Sequence, residues 1–260
     1  MERTKQGEFA WTDLSAKDLD GQTAFYEGLF GWEHRDVPMG PDSIYRMFTL
    51  RGNSVCGASQ MLPSMMEQGA PSAWNVYIAV DDVAASLARA VELGAQVAMP
   101  ETDISPTSRF AAIVDPTGAA LFLWNNSTPD ETQTYLEPGT LAWNDLVTRD
   151  PEKAADFFTK LVGWQITLMD QGPTPYWQVS VDGVGEGGIM PMPEMIPPEV
   201  PAYWLDYFGT ADIAATVAKA KSLGASVLAE PMEAAGMIMF AVLEDPAGVS
   251  FALMQPLATM

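Results

Sequence analysis

Hydrophobic and polar residues alternate over short stretches of this chain, and each such stretch predicts a β-strand. The run at 75–80, Asn-Val-Tyr-Ile-Ala-Val, is one example. Longer stretches between the strands predict helices. Asp18 and Asp150 stand where a helix N-cap belongs, and Gly31 and Gly163 stand where those helices end. The pattern as a whole predicts an α+β fold.

The predicted elements follow one another in the same order in two halves of the chain. Each half has a strand and a helix, two or three strands, a strand leading into a second helix, and two strands around an Asp-Pro-x-Gly turn. The predicted strands lie at 10–16, 45–50, 55–61, 75–80, 110–114 and 120–124, and at 142–148, 176–181, 187–190, 238–243 and 250–254. The predicted helices lie at 22–29, 83–93, 152–161 and 213–223.

The two halves also repeat particular residues at a nearly constant spacing, which indicates an internal duplication. Trp-x-Asp-Leu begins at Trp11 and again 132 residues later at Trp143. Asp-Pro-x-Gly begins at Asp115 and again 130 residues later at Asp245. Further landmarks at these spacings are Phe25 and Phe157, Gly31-Trp32 and Gly163-Trp164, Trp74 and Trp204, and Leu93-Gly94-Ala95 and Leu223-Gly224-Ala225.

The duplication predicts two tandem modules, at 1–128 and 129–260, joined by the polar segment 125–132. Each module is predicted to contain paired βαβββ units. A chain of 260 residues is long enough for two domains of ordinary size.

Composition narrows the range of functions. The chain carries 13 Lys+Arg and 34 Asp+Glu, a net charge of −21, which repels nucleic acid and anionic lipid. No apolar run is long enough to span a membrane, and the first residues contain no apolar signal segment. Because Cys56 is the only cysteine, no internal disulfide forms, and we expect a cytoplasmic protein. Both a monomer and a homodimer are compatible with the sequence.

The repeated segments resemble the vicinal oxygen chelate superfamily, which includes glyoxalase I, the extradiol dioxygenases, and the bleomycin- and fosfomycin-resistance proteins. The segments that carry the resemblance are Asp18, Phe25-Tyr26, Leu29-Phe30-Gly31-Trp32, Val80-Asp81-Asp82-Val83, Leu93-Gly94-Ala95 and Asp115-Pro116-Thr117-Gly118, with their counterparts in the second half. The resemblance implies two glyoxalase/bleomycin-resistance-like modules. It further implies that each module curls an open sheet into a cup that holds a small molecule, usually on a divalent metal.

The chain departs from the superfamily at the metal positions. The six positions that the resemblance assigns to metal ligands are Trp11, Asn75 and Phe122 in the first module, and Trp143, Leu205 and Ala252 in the second. Divalent ions prefer imidazole and carboxylate ligands, which none of these residues carries. His34 is the only histidine, so one chain cannot supply several imidazoles. We therefore expect no metal and no other cofactor, a carboxylate-only site around Asp13 and Asp145 being the alternative.

Strand alternation predicts which side chains share the cup face with those positions. Asp13 and Asp145 lie two residues beyond Trp11 and Trp143, and they are the candidate catalytic residues. A carboxylate in an apolar cup has a raised pKa and serves as a general base or anchors a ligand hydroxyl or amine. The alternative is a pair of structural, hydrogen-bonded aspartates. The predicted ligand-binding residues are Trp11, Asn75, Tyr77, Phe122, Trp124, Trp143, Tyr207 and Met254.

An aromatic lining suits a flat, largely apolar molecule with one or two polar groups. The leading hypothesis is therefore metal-independent binding of a small aromatic or amphipathic molecule, for sequestration, resistance or carriage. The second hypothesis is a metal-free acid–base enzyme, such as a lyase, isomerase or hydratase, that acts on a natural-product-like substrate. The third is a structural or interaction protein whose cups are filled by its own side chains. The sequence leaves open whether the protein is an enzyme.

Overall fold

The computed structural model describes residues 4–40, 43–67, 69–126, 137–169 and 174–257. The first module contains β1 (Phe9–Ala16), α1 (Leu19–Phe30), β2 (Glu33–Gly40), β3 (Ser43–Leu50), β4 (Asn53–Gln60), α2 (Pro63–Glu67), β5 (Ala73–Ala79), α3 (Val83–Glu92), β6 (Gln96–Ser105), β7 (Ser108–Val114) and β8 (Ala120–Asn126). The second contains β9 (Leu141–Thr148), α4 (Pro151–Val162), β10 (Gln165–Met169), β11 (Tyr176–Val181), β12 (Val184–Pro191), β13 (Tyr203–Gly209), α5 (Ile213–Ser222), β14 (Ser226–Ala234), β15 (Ile238–Glu244) and β16 (Ser250–Pro256).

The strands form two curled sheets of eight strands each, in the same order. The first is β2-β3-β4-β1-β5-β8-β7-β6, and the second is β10-β11-β12-β9-β13-β16-β15-β14. Each sheet combines two βαβββ units, as the sequence predicts, so the predicted fold class is confirmed. The predicted boundary between the modules, at residues 128 and 129, lies outside the described residues.

The helix ends follow the predicted chemistry. The Asp18 carboxylate accepts a hydrogen bond from the Gly21 N–H at 3.0 Å, and helix α1 begins at Leu19, directly after this cap. Asp150 caps α4 in the same way. Gly31 and Gly163 end the two helices with φ of 74° and 80°, a conformation that costs an L-residue with a side chain more than it costs glycine. No helix in the described part of the chain is long and apolar enough to cross a membrane.

The first strand after each of the four main helices was not predicted separately. These strands, β2, β6, β10 and β14, are the outermost strands of the two sheets. Most of their residues are exposed, and β2 and β6 contain Pro38 and Pro100. An edge strand has no buried face that must be apolar and tolerates proline, so the alternating pattern is weak there.

The chain divides into two compact units. Unit 1 comprises Met1–Trp11, Asn75–Asp130 and Asn144–Trp204, and unit 2 comprises Thr12–Trp74, Glu131–Trp143 and Leu205–Met260. Each unit has its own aromatic core, with Trp164 fully buried in unit 1 and Trp32 buried in unit 2. The two indoles are held alike, because Trp164 Nε1 donates to Gly7 O and Trp32 Nε1 donates to Gly139 O, both at 2.7 Å.

Candidate functional site

Four of the predicted ligand-binding residues lie together on β5 and β8 of unit 1. The two strands are parallel, and Tyr77 stands opposite Phe122. Their rings stack with centroids 4.5 Å apart and an interplanar angle of 14°. Phe110 on β7 adds a third ring, with its centroid 5.5 Å from that of Phe122. We call Tyr77, Phe110 and Phe122 the first aromatic wall, and all three rings are partly exposed.

Trp124 and Asn75 lie next to the wall on the same two strands, each two residues from one of its rings. Trp124 is 9 % exposed, and its Nε1 donates to Ser108 Oγ at 2.9 Å, which fixes the indole plane. Asn75 precedes Tyr77 by two residues on β5 and is also partly exposed. Of the residues predicted for the first module's cup, these four are therefore close in space on one strand pair.

The corresponding strand pair of unit 2, β13 and β16, differs in accessibility. Tyr207 stands opposite Ala252, and Met254 follows on the same strand. Leu205, Tyr207, Ala252 and Met254 are all buried, with at most 9 % of any residue exposed. The Phe240 ring has its centroid 6.5 Å from that of Tyr207. This strand pair offers a small molecule much less surface than the first aromatic wall.

The two candidate catalytic carboxylates are buried, and each accepts a hydrogen bond from a tyrosine. In unit 2, Tyr45 OH donates to Asp13 Oδ2 at 3.2 Å. In unit 1, Tyr176 OH donates to Asp145 Oδ1 at 2.7 Å. Asp13 and Asp145 are 5 % and 4 % exposed, while both tyrosines are partly exposed. The sequence analysis missed the two tyrosines, although they recur 131 residues apart.

A glycine beside each aspartate makes room for the tyrosine. Gly57 on β4 pairs with Asp13 on β1, and Gly188 on β12 pairs with Asp145 on β9. A Cβ on either glycine would overlap the phenol oxygen of the tyrosine that crosses it. Glycine at both places therefore lets each hydroxyl reach across one strand to the carboxylate. This Asp–Tyr–Gly arrangement recurs in both modules.

Trp11 and Trp143, the other two predicted ligand-binding residues, are each partly exposed. Trp11 belongs to unit 1 and Trp143 to unit 2. Their roles stay predictions.

The residues present do not fit a divalent metal. At the positions that the superfamily uses for ligands, the Phe122 ring is stacked on Tyr77, and Leu205 and Ala252 are buried apolar side chains. Across residues 4–257, in the parts that the structure describes, no three His, Cys, Asp or Glu side chains converge on a point that could hold a metal ion. The donor set therefore differs from the imidazole and carboxylate ligands that such ions prefer.

A polar cavity of about 400 Å³ lies near the start of α3, among residues that include Asp82, Thr107 and Arg109. None of the residues of the first aromatic wall lines it. Arg109 forms ion pairs with Glu101 at 3.0 Å and Asp103 at 3.2 Å, and its side chain is 50 % exposed. This arginine is a solvated, paired residue of the surface.

The paired βαβββ modules and the two curled sheets together define a protein of the vicinal oxygen chelate superfamily. A family model described as a glyoxalase-like domain matches residues 11–123 and again residues 143–254. The chain belongs to this glyoxalase-like family. The resemblance predicted from the sequence is thereby confirmed, as is the duplication.

Two relatives match almost the whole chain. CFP32 of Mycobacterium tuberculosis, whose name carries a provisional glyoxylase assignment, is 40% identical over 253 residues, which cover 97% of this chain and 96% of that protein. The anthracycline biosynthesis protein DnrV of Streptomyces peucetius is 30% identical over 272 residues, which cover 98% of this chain and 95% of that protein.

Two solved structures share the fold at low sequence identity. The Mn(II)-bound glyoxalase from Novosphingobium aromaticivorans has a TM-score of 0.65 at 16% identity, covering 97% of this chain and 83% of that chain. The 2,2',3-trihydroxybiphenyl 1,2-dioxygenase of Sphingomonas wittichii has a TM-score of 0.66 at 12% identity, covering 98% and 93%. At these identities the likeness concerns the fold alone.

Proposed function

We propose that the chain binds a small planar aromatic molecule, without a metal ion, against the first aromatic wall. The observation that carries the proposal is the stacked, partly exposed pair of Tyr77 and Phe122, whose centroids lie 4.5 Å apart. Phe122 occupies a position where the superfamily places a metal ligand. An apolar ring therefore stands where related proteins hold an ion.

The wall suits a flat ligand for energetic reasons. Phe110, Tyr77 and Phe122 present neighbouring ring surfaces, and an aromatic contact contributes about 0.5–1.5 kcal/mol beyond the area that it buries. The rings are held by the strand register and by packing, so little side-chain freedom is lost on binding. The Asn75 amide and the Tyr77 hydroxyl, two residues apart on β5, are candidate polar groups for orienting a ligand.

A relative's name supports the aromatic class of ligand. DnrV is named an anthracycline biosynthesis protein, and anthracyclines contain fused planar rings. An anthracycline is therefore a suitable probe, because its own fluorescence reports stacking against a protein ring.

The test measures the metal dependence of probe binding. Protein treated with EDTA and then dialysed is titrated with an anthracycline, and in parallel with a non-aromatic molecule of similar size. We expect saturable binding of the anthracycline alone, with the same Kd after addition of Mn²⁺. Binding that appears only with Mn²⁺ would overturn the metal-independent part of the proposal, and equal binding of the two probes would overturn the aromatic part.

The Asp–Tyr pairs favour a second candidate, a metal-free acid–base enzyme. A carboxylate held by a phenol is a fixed proton acceptor next to a proton donor, which is the arrangement that general acid–base catalysis needs. The proposed bases are Asp13 and Asp145. The test is deuterium exchange from D₂O into a C–H of a bound ligand, followed by mass spectrometry. Exchange that the protein accelerates, and that Asp13→Asn or Asp145→Asn abolishes, supports the enzyme, whereas unchanged exchange in both variants excludes these bases.

A further inference from the structure

Two buried polar atoms of unit 1 make no hydrogen bond to any residue that the structure describes. They are Asp115 Oδ2 in the Asp-Pro-x-Gly turn and Trp204 Nε1 on β13. Asp115 is 3 % exposed and Trp204 is 6 % exposed. An unsatisfied buried donor or acceptor is destabilising, so such atoms rarely go without a partner.

Unit 2 contains the same turn and the same indole, with partners. Asp245 Oδ2 accepts hydrogen bonds from Gln22 Nε2 at 2.8 Å and from Tyr26 OH at 3.2 Å. Trp74 Nε1 donates to the same Tyr26 oxygen at 3.0 Å. The tyrosine hydroxyl therefore accepts from the indole and donates to the carboxylate. It bridges the indole and the carboxylate.

In unit 1, other residues stand at the positions of the two side chains that donate to Asp245. At the spacing of 132 residues, Phe158 stands for Tyr26 and Ala154 stands for Gln22. Phe158 and Ala154 are fully buried and carry no hydrogen-bonding side chain. Compared with unit 2, unit 1 therefore lacks the phenol oxygen and the glutamine side chain beyond Cβ near Asp115.

The surrounding geometry is otherwise the same in the two units. The Tyr26 and Trp74 rings meet edge to face at 5.2 Å and 77°, and the Phe158 and Trp204 rings meet at 5.8 Å and 73°. The repeat has therefore kept the arrangement of rings and lost the hydroxyl that joined indole to carboxylate.

The other oxygen of Asp115 holds its carboxyl group in place. Asp115 Oδ1 accepts from the N–H groups of Thr117, Gly118 and Ala119 at 2.6, 2.8 and 3.1 Å, and from the Thr117 hydroxyl at 2.8 Å. These hydrogen bonds to Oδ1 fix the orientation of the carboxyl group. The donors of the turn are therefore not available to Oδ2. Burial raises the pKa of Asp115, which is the effect expected of a carboxyl group short of donors.

We propose that unit 1 holds a buried water molecule that accepts a hydrogen bond from Trp204 Nε1 and donates one to Asp115 Oδ2. Water is the ligand that fits, because a bridge between these atoms must both accept and donate, as the Tyr26 hydroxyl does. Two buried polar atoms without partners, next to positions where the phenol oxygen and the glutamine side chain are missing, are the setting in which internal waters occur. The proposal does not depend on the proposed ligand-binding function.

The test is a high-resolution crystal structure of the wild-type chain and of the Phe158→Tyr variant. We expect one solvent peak within hydrogen-bond distance of both Trp204 Nε1 and Asp115 Oδ2. In Phe158→Tyr the new hydroxyl should take the place of that peak and raise Tm by about 2 °C, because it supplies the bridge without ordering a water. A wild-type structure in which the two atoms bond each other or other protein groups would overturn the proposal.

The matched control is the double variant Tyr26→Phe, Gln22→Ala in unit 2, which removes both donors to Asp245 Oδ2 and should create the same site there. A water between Trp74 Nε1 and Asp245 Oδ2 in this variant, with a lower Tm, supports the exchange of hydroxyl for water. If Phe158→Tyr does not fold, this variant decides the matter alone. The absence of a water between Trp74 Nε1 and Asp245 Oδ2 in the double variant would contradict the inference.

Discussion

The strand pairs β5–β8 and β13–β16 are copies of one duplicated segment, yet they differ in what they expose. Tyr77 stands opposite a phenylalanine and is held in a stack, whereas Tyr207 stands opposite Ala252 and is buried. The backbone register is the same in both. Duplication preserved the sheet, and exchanges that include Phe122 for Ala252 on β8 and β16 distinguish an accessible aromatic surface from a closed one.

The largest expected effect comes from placing the missing ring in the closed strand pair. Ala252→Phe inserts a ring where Ala252 is fully buried, and overpacking of this kind costs about 1–3 kcal/mol. Urea unfolding at equilibrium measures the loss. If the Ala252→Phe variant had unchanged stability and bound a second aromatic probe, β13–β16 would be as open as β5–β8. That result would contradict the difference in exposure between the two strand pairs.

The two Asp–Tyr pairs should contribute unequally to the free energy of unfolding. Tyr176→Phe removes a 2.7 Å hydrogen bond to buried Asp145, at a cost of about 2 kcal/mol. Tyr45→Phe removes a 3.2 Å bond to Asp13 and should cost less. The measurement is again the free energy of unfolding. Equal losses in the two variants would show that the pairs are equivalent despite their geometry.

Replacing Phe122 of the first aromatic wall by the alanine found in the second module should weaken ligand binding. Phe122→Ala gives β8 the residue that β16 has at the same place, so we expect the fold to tolerate it. The Kd of an aromatic probe should rise about tenfold with the loss of one stacked ring. Phe240→Leu in unit 2 is the control and should leave the Kd unchanged. A similar rise of Kd in both variants would mean that the wall on β5–β8 is not the binding surface.

The smallest effect concerns Glu186 on β12, whose counterpart in the first module is the buried Val55. Burial, and then the charge of Glu8, raise the pKa of Glu186 from 4.5 to about 7. The native state thus keeps a proton that the unfolded chain releases near pH 4.5, so this stabilisation is complete below that pH and is lost as pH rises to about 7.

Glu186→Gln should remove that pH dependence. The gain in stability at pH 8 should be below about 1 kcal/mol, because solvent screens a group that is only half-buried. Thermal unfolding of both proteins between pH 5 and 8 is the measurement, and Glu8→Gln should give a smaller shift in the same direction. A wild-type Tm that rises relative to the variant as pH increases would contradict the raised pKa.

Sequence reasoning reached the fold because the duplicated caps and turns have local causes. Asp18, Gly31 and the Asp-Pro-x-Gly turns determine helix ends and turns through contacts within a few residues. The resemblance assigned Asn75 and Phe122 to the cup, and strand alternation then added Tyr77 to the same face. Sequence reasoning missed the edge strands, which lack a buried face, and Tyr45 and Tyr176, whose partners are distant in the chain and are reached only across a glycine.

The different exposure of the two strand pairs could not be predicted from the sequence either. Tyr77 and Tyr207 are the same residue at the same repeat position, and alternation gives them the same face. Their burial depends on Phe122 and Ala252 on the neighbouring strand, together with the packing around each pair. Pairing across strands is a property of the folded sheet, so a single-strand pattern does not contain it.

The most direct test of the account is the stoichiometry of aromatic-probe binding to metal-free protein, measured by titration calorimetry. We expect about one probe molecule per chain for the wild type, with the same affinity in EDTA and in Mn²⁺, and about tenfold weaker binding for Phe122→Ala. Two equivalent probe molecules per chain, or one molecule bound as tightly by Phe122→Ala as by the wild type, would contradict this expectation.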